Sequence, residues 1–141
     1  MKLFFVLTKR KLAVIFCSMI FIFVGFIWTS SLKVSAIDGS THAKRMEYIR
    51  YLKVDVDEDN YTFKETVIPE KFSDVYKGYN KLQRLGGFDL SNYKGEKVTV
   101  YSYPLTASER ILTLIIHDGE IIGGDIAEIK IDGKMTEIRK Y

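Results

Sequence analysis

The stretch from Leu12 to Trp28 constrains this chain more than any other. It is seventeen residues without a charge, and only Ser18 and Gly25 in it are not hydrophobic. At about 1.5 Å per residue, a helix over residues 12–32 spans roughly 31 Å, the thickness of a bilayer core. Lys9-Arg10-Lys11 precede the run and a single Lys33 follows it. The positive-inside rule then puts the N-terminus in the cytoplasm. The expected organisation is a cytoplasmic basic segment (1–11), a transmembrane signal anchor in the lipid bilayer (12–32), a stalk (33–40) and one extracytoplasmic domain (41–141). The alternative is a signal peptide cleaved after Ala36, at Val34-Ser35-Ala36, with release of the domain. The apolar run exceeds the roughly 7–15 residues usual for a signal peptide, which favours the anchor.

The formal charge of +3 invites a nucleic-acid reading, which fails once the charge is located. Five of the 21 basic residues lie in positions 1–36, which hold no acid. The remaining 16 face 18 acidic residues, a net of −2. A mildly acidic domain has no electrostatic case for binding phosphate backbones. The only cysteine, Cys17, lies inside the apolar run, so the exported part has no disulfide and depends on its core. About 105 residues suffice for one small domain.

Within the domain, Thr41 to Leu52 reads as a helix with Ser40 or Thr41 as N-cap and Met46, Ile49 and Leu52 inward. Tyr61 to Ile68 reads as a strand with Tyr61, Phe63, Glu65 and Val67 on one face. Glu70 to Leu85 reads as a second helix after Pro69. Its apolar stripe is Phe72, Val75, Tyr76, Tyr79 and Leu82, and Gly86-Gly87 stops it. Glu96 to Tyr103 and Arg110 to His117 are strands, the latter apolar on both faces and therefore central. Asp118-Gly119 is a type I′ hairpin turn leading back along Glu120 to Asp125. Ala127 to Ile131 runs to a second Asp-Gly, Asp132-Gly133, and a short last strand. The expected fold is α+β: an antiparallel meander of four to five strands with one or two helices on one face.

Candidate chemistry is sparse. Asp55, Asp57 and Asp59 match positions 1, 3 and 5 of a calcium loop, but Thr66 stands where a bidentate Glu is required. They are a weak calcium candidate, and a solvated acidic turn is the simpler reading. His42 and His117 have no cysteine to share a zinc site with. No nucleophile motif occurs beyond Ser30-Ser-Leu-Lys33 at the membrane edge, which lacks the partner motifs of that signature. No cofactor is implied. Gly123-Gly124-Asp125 interrupts a strand. In an unbroken hairpin Asp125 faces Leu112, which requires either a bulge that turns it outward or a helix over the flat spot. Tyr76, Tyr79, Tyr101 and Tyr103 concentrate in one helix and one strand. Tyrosine there serves a thin core or a protein or glycan contact.

The run Ile68-Pro-Glu-Lys-Phe72, Val75-Tyr76-Lys-Gly-Tyr79-Asn80-Lys-Leu82-Gln83, Gly87-Phe88-Asp89-Leu90-Ser91, Tyr93, Gly95, Tyr101, Tyr103 and Ile121-Ile-Gly-Gly-Asp125 resembles the bacterial exported domains grouped as domain of unknown function 4830. The resemblance spans roughly residues 44–138. It implies a small, single, membrane-anchored exported domain and no particular activity. Those domains usually carry a Gly-aromatic pair after the first helix, where this chain has Lys53-Val54, and a cysteine after the Gly-Gly-Asp that is missing here. The expected function is a non-enzymatic module contacting an envelope protein or glycan. The alternative is a ligand-binding domain or enzyme using a helix–sheet groove at Asp125 and nearby tyrosines.

Overall fold

The structure is a computed structural model and describes residues 36–139. The expected anchor over 12–32 lies outside the described residues. Among the described residues no helix is long and apolar enough to cross a membrane.

The elements run β1 (Ile37–Asp38), α1 (His42–Tyr51), β2 (Thr62–Val67), α2 (Asp74–Leu85), a 3₁₀ turn (Leu90–Tyr93), β3 (Lys97–Pro104), β4 (Arg110–His117), β5 (Glu120–Glu128) and β6 (Met135–Glu137). All strand pairs are antiparallel, in the order β1-β5-β4-β3-β2, with β6 on the same side of β5 as β1. The fold is α+β as expected. β4 is indeed central, and its two apolar faces explain why. Leu112, Leu114 and Ile116 pack with Met46, Tyr48 and Ile49 of α1. Ile115 packs on the other side with Ile122, Leu90 and the α2 tyrosines Tyr76 and Tyr79. Successive strand residues point to opposite faces, so the sheet carries one helix on each face. The expectation of helices on one face is corrected accordingly.

Other boundaries also differ. Ile37 and Asp38, read as stalk, pair with Ile121 and Glu120 and belong to the sheet. The second helix starts at Asp74, four residues late, because the Ser73 side chain caps it by accepting from the Tyr76 amide at 3.2 Å. The buried face differs from the expected stripe as well. Val75, expected in the core stripe, is 85% exposed, and the buried α2 residues are Asn80 and Gln83. β5 runs unbroken from Glu120 to Glu128, so there is no separate Ala127–Ile131 strand. Asp118 and Gly119 both have positive φ (47° and 82°), as a type I′ turn requires. At the second Asp-Gly only Asp132 does (58°), within a longer connection.

Both helices end in the same hydrogen-bonded motif. At α1, Lys53 N donates to Arg50 O and Val54 N to Ile49 O. At α2, Gly87 N donates to Arg84 O and Phe88 N to Gln83 O. This is the Schellman arrangement, which needs a left-handed residue after the cap. Gly87 fills it at φ 87° and Lys53 at φ 56°. Lys53 therefore occupies a left-handed position that favours glycine.

Candidate functional site

Strand register builds the α2 side of the sheet. A bulge between Ile115 and Ile116 shifts the β4–β5 pairing, so that Asp125 faces Thr113 and Leu112 faces Ile126. Thr113 in turn faces Ser102, and Ser102 faces Thr62. On the other side Asp125 faces Glu137. Directly opposed residues of antiparallel strands share a face, so a polar row crosses the sheet on its α2 side, with α2 over the β5–β6 end. Both expected devices, the bulge and the covering helix, are present. Asp125 nevertheless does not turn outward; it is 3% exposed.

α2 meets the β5 end of this row with polar residues of its own. The Tyr79 hydroxyl donates to Asp125 Oδ2 at 2.7 Å. Burial pushes the Asp125 carboxyl above its ordinary range, and the Tyr79 hydrogen bond only partly opposes that. Burial, reinforced by the adjacent Asp125, pushes the Tyr79 phenol up as well. Gln83 Oε1 accepts from Gly124 N at 2.8 Å, while its Nε2 is buried without a partner. A side chain at Gly123 would meet Gln83 Oε1 and Leu90, so the glycines let α2 and the 3₁₀ turn approach the strand. Asn80 accepts from Leu90 N at 2.8 Å and donates to Asp89 Oδ1 at 2.9 Å. Burial would raise the Asp89 carboxyl, but hydrogen bonds from Ser91, Asn80 and Arg84 outweigh it and hold Asp89 well below the usual carboxylate range.

The α1 side holds a different cluster, centred on a residue the sequence did not single out. Arg45 is 4% exposed, yet it pairs with no carboxylate among the described residues. Its Nε donates to the Tyr103 hydroxyl at 2.9 Å and one Nη to Gly39 O at 3.0 Å. Its guanidinium lies 3.7 Å from the Tyr101 ring centroid, a cation–π contact. His42 stacks on Tyr61 at 5.1 Å, and Tyr61 stacks on Tyr103 at 5.3 Å. The His42 Nδ1 is buried without a partner. In the sequence Arg45 reads as one more solvated helix charge. Only a contact across 58 residues reveals it, and nothing local signals that.

The four singled-out tyrosines thus divide between the faces. Tyr103 is fully buried and Tyr101 half-buried on the α1 side; Tyr76 and Tyr79 are half-buried on the α2 side. Asp55, Asp57 and Asp59 form no cluster. Asp57 spends its carboxylate on Asn60 Nδ2 (2.7 Å) and on the amides of Asp59 and Asn60. Among the described residues no three His, Cys, Asp or Glu side chains converge to hold a metal. Two shallow cavities of about 570 Å³ each open on the surface, one at the C-terminal end of α1 and the other beside β2 and the β4–β5 turn. One is lined by Leu52, Val54, Ile126 and Ile138, the other by Glu65, Val67, Thr99, Ile116 and Gly119. Asp125 lines neither.

A model of one protein family, DUF4830 (domain of unknown function), matches residues 51–126, more than half of the chain. The chain belongs to this family. The DUF4830 match includes β2, α2, β3, β4 and Gly123-Gly124-Asp125, and it ends just after Asp125. His42 and Arg45 lie outside it. No curated protein and no solved structure matches the chain.

Proposed function

We propose that this DUF4830 protein is a membrane-tethered, extracytoplasmic module that acts without catalysis, by contact with an envelope protein or glycan. The observation that carries the reading is β2. All six of its residues are exposed, including Phe63 (65%) and Val67 on the same face of an uncovered edge. Val75 and Ile131 add exposed apolar side chains on α2 and on the β5–β6 connection. A domain this small gains about 1.5–3 kcal/mol by burying such a side chain, so leaving several outside while Asn80 and Gln83 are inside favours a contact role. The tether rests on the sequence, on the uncharged run 12–28 and the basic residues before it.

The reading is tested by placing a photocrosslinking residue at Phe63, Val75 or Ile131 of the full chain in intact cells. A discrete adduct from at least one position is expected. Uniform absence of adducts from all three, with the protein present at normal abundance, removes the contact reading. Protease added outside intact cells is expected to digest the domain; survival beside digested exported proteins overturns the topology. The alternative, a ligand-binding domain or enzyme at Asp125, draws on the buried carboxyl and the free Gln83 amide. It requires α2 to move first, because Tyr79 covers that carboxyl.

A further inference from the structure

We propose that the α1-side surface of β2 and β3 docks an extended peptide segment bearing a carboxylate, which the Arg45 guanidinium receives. This rests on the contact reading and specifies its partner.

The backbone argument comes first. Ile68 N donates to Glu96 O, and on the other side of β3 Leu105 N donates to Arg110 O. Hydrogen-bonding direction alternates along an antiparallel strand. The even residues of β2 therefore bond to β3, and Phe63, Glu65 and Val67 turn their N–H and C=O groups to the open edge. Such an edge is a template for one more strand. β2 carries no proline and no bulge against its partner, and Pro69 lies beyond its end.

The side-chain argument is independent. Phe63, Glu65 and Val67 share a face with Thr99 and Tyr101, by direct pairing of Phe63 with Tyr101 and Glu65 with Thr99. At one end of this face the 570 Å³ cavity is lined by Val67, Ile116 and Gly119, together with Glu65, Lys97 and Asp118. At the other end Phe63 meets the Tyr101 ring at 5.7 Å, and that ring carries Arg45. A buried guanidinium without a counter-charge is costly unless hydrogen-bonded or paired. Arg45 uses Nε and one Nη, and none of the hydrogen bonds or ion pairs among the described residues engages its second amino group. That group is not among the buried polar atoms left without a partner, so it is open to an acceptor from outside, and an anion is the acceptor that suits its charge. At the cavity end the two acids Glu65 and Asp118 outnumber Lys97, so the acid of the peptide sits at the Arg45 end and an apolar side chain at the Val67 end.

The test uses the full chain in detergent micelles. The probes are two synthetic hexapeptide pools, acetylated and amidated, with five positions drawn from Thr, Val, Tyr and Ser and the last fixed as Glu or as Gln. The Glu pool is expected to bind at least fivefold more tightly than the Gln pool, since a charge-assisted bond to Arg is lost in the latter. Binding is expected to protect the Phe63, Glu65 and Val67 amides from exchange and to leave those of Lys64 and Thr66 as they were. Glu65→Pro removes an outward N–H without touching the β3 ladder and is expected to abolish that binding. Arg45→Gln is expected to erase the preference for Glu, and the two-pool comparison on the unaltered chain stands even if that variant fails to fold. Equal affinity of the two pools, unaltered binding by Glu65→Pro, or shifts at these amides with chitotetraose and with neither pool overturns the proposal. Adducts from Val75 or Ile131 in cells alongside such a result leave the broader contact reading intact.

Discussion

The Tyr79 hydroxyl donates a 2.7 Å hydrogen bond to Asp125 Oδ2 across the α2–β5 interface, and the carboxyl it reaches is 3% exposed. One neutral donor does not replace the water that an ionised carboxylate loses on burial. The folded state therefore holds the Asp125 proton more tightly than the unfolded chain does.

That relationship fixes a pH dependence. The Asp125 pKa is raised on folding, so its contribution is fully present below the unfolded value of about 3.9 and is lost as pH rises through the higher folded value. Asp125→Asn keeps an oxygen for Tyr79 and removes the charge. It is expected to stabilise the protein by on the order of 1 kcal/mol at pH 8, and to give no gain near pH 3. Urea denaturation at the two pH values measures the difference. A variant less stable than the parent at pH 8 sinks the account.

Asp89 titrates in the opposite sense. Its carboxylate caps the 3₁₀ turn through Ser91 N and receives Asn80, Arg84 and the Ser91 hydroxyl. Its pKa is depressed, so its contribution is present above about 3.9 and is lost as pH falls through the lower folded value. Asp89→Ala is expected to cost about 2 kcal/mol at pH 7, the scale of hydrogen bonds to a charged group. Chemical denaturation at pH 7 checks this; a loss under a few tenths of a kcal/mol means the cluster is decorative.

Lys53 stands at φ 56° in the helix-ending motif that Gly87 fills at φ 87°. A side chain in the left-handed region costs energy that glycine avoids. Lys53→Gly is expected to stabilise the domain by about 0.5–1 kcal/mol, whereas Gly87→Lys is expected to destabilise it. Melting temperatures of the pair supply the readout, and shifts of the same sign in both contradict the backbone explanation.

Gly124 lies against the Ile138 side chain, and a Cβ there would sit 2.5 Å from Thr113 O. The obstructing Thr113 group is backbone within the central strand pairing and has nowhere to go. Gly124→Ala is expected to cost about 1–3 kcal/mol, as overpacking does. Gly78→Ala, with nothing within 4 Å of the added Cβ, is expected to be neutral or slightly stabilising because α2 loses a helix-weakening glycine. Denaturation of the two variants side by side checks the contrast.

Local chemistry determined a great deal from sequence alone. Asp118-Gly119 had to be a type I′ turn because only residues tolerant of positive φ fit it. The double apolar face of Ile111 to Ile116 had to be a central strand because both faces required cover. Gly86-Gly87 had to end a helix, and the family resemblance follows from the same local pattern. The α1 and α2 helices were legible as helices, but not the face of the sheet each covers, because a 3.6-residue period reports that a helix has an apolar side and not which layer receives it. The start of α2 was misplaced because Pro69 and Glu70 read as a helix start, whereas the Ser73 side chain caps the helix that forms. The site residues show the limit most clearly. Asp125 was legible as an anomaly among glycines, but its register opposite Thr113 came from a bulge that no local preference announces. Arg45 was invisible, since its partners Tyr101 and Tyr103 arrive from a strand more than fifty residues away. Turns, caps and periodicity are short-range properties and belong to the sequence. Burial of a charge, and the identity of what faces it, is decided only when distant segments share a surface.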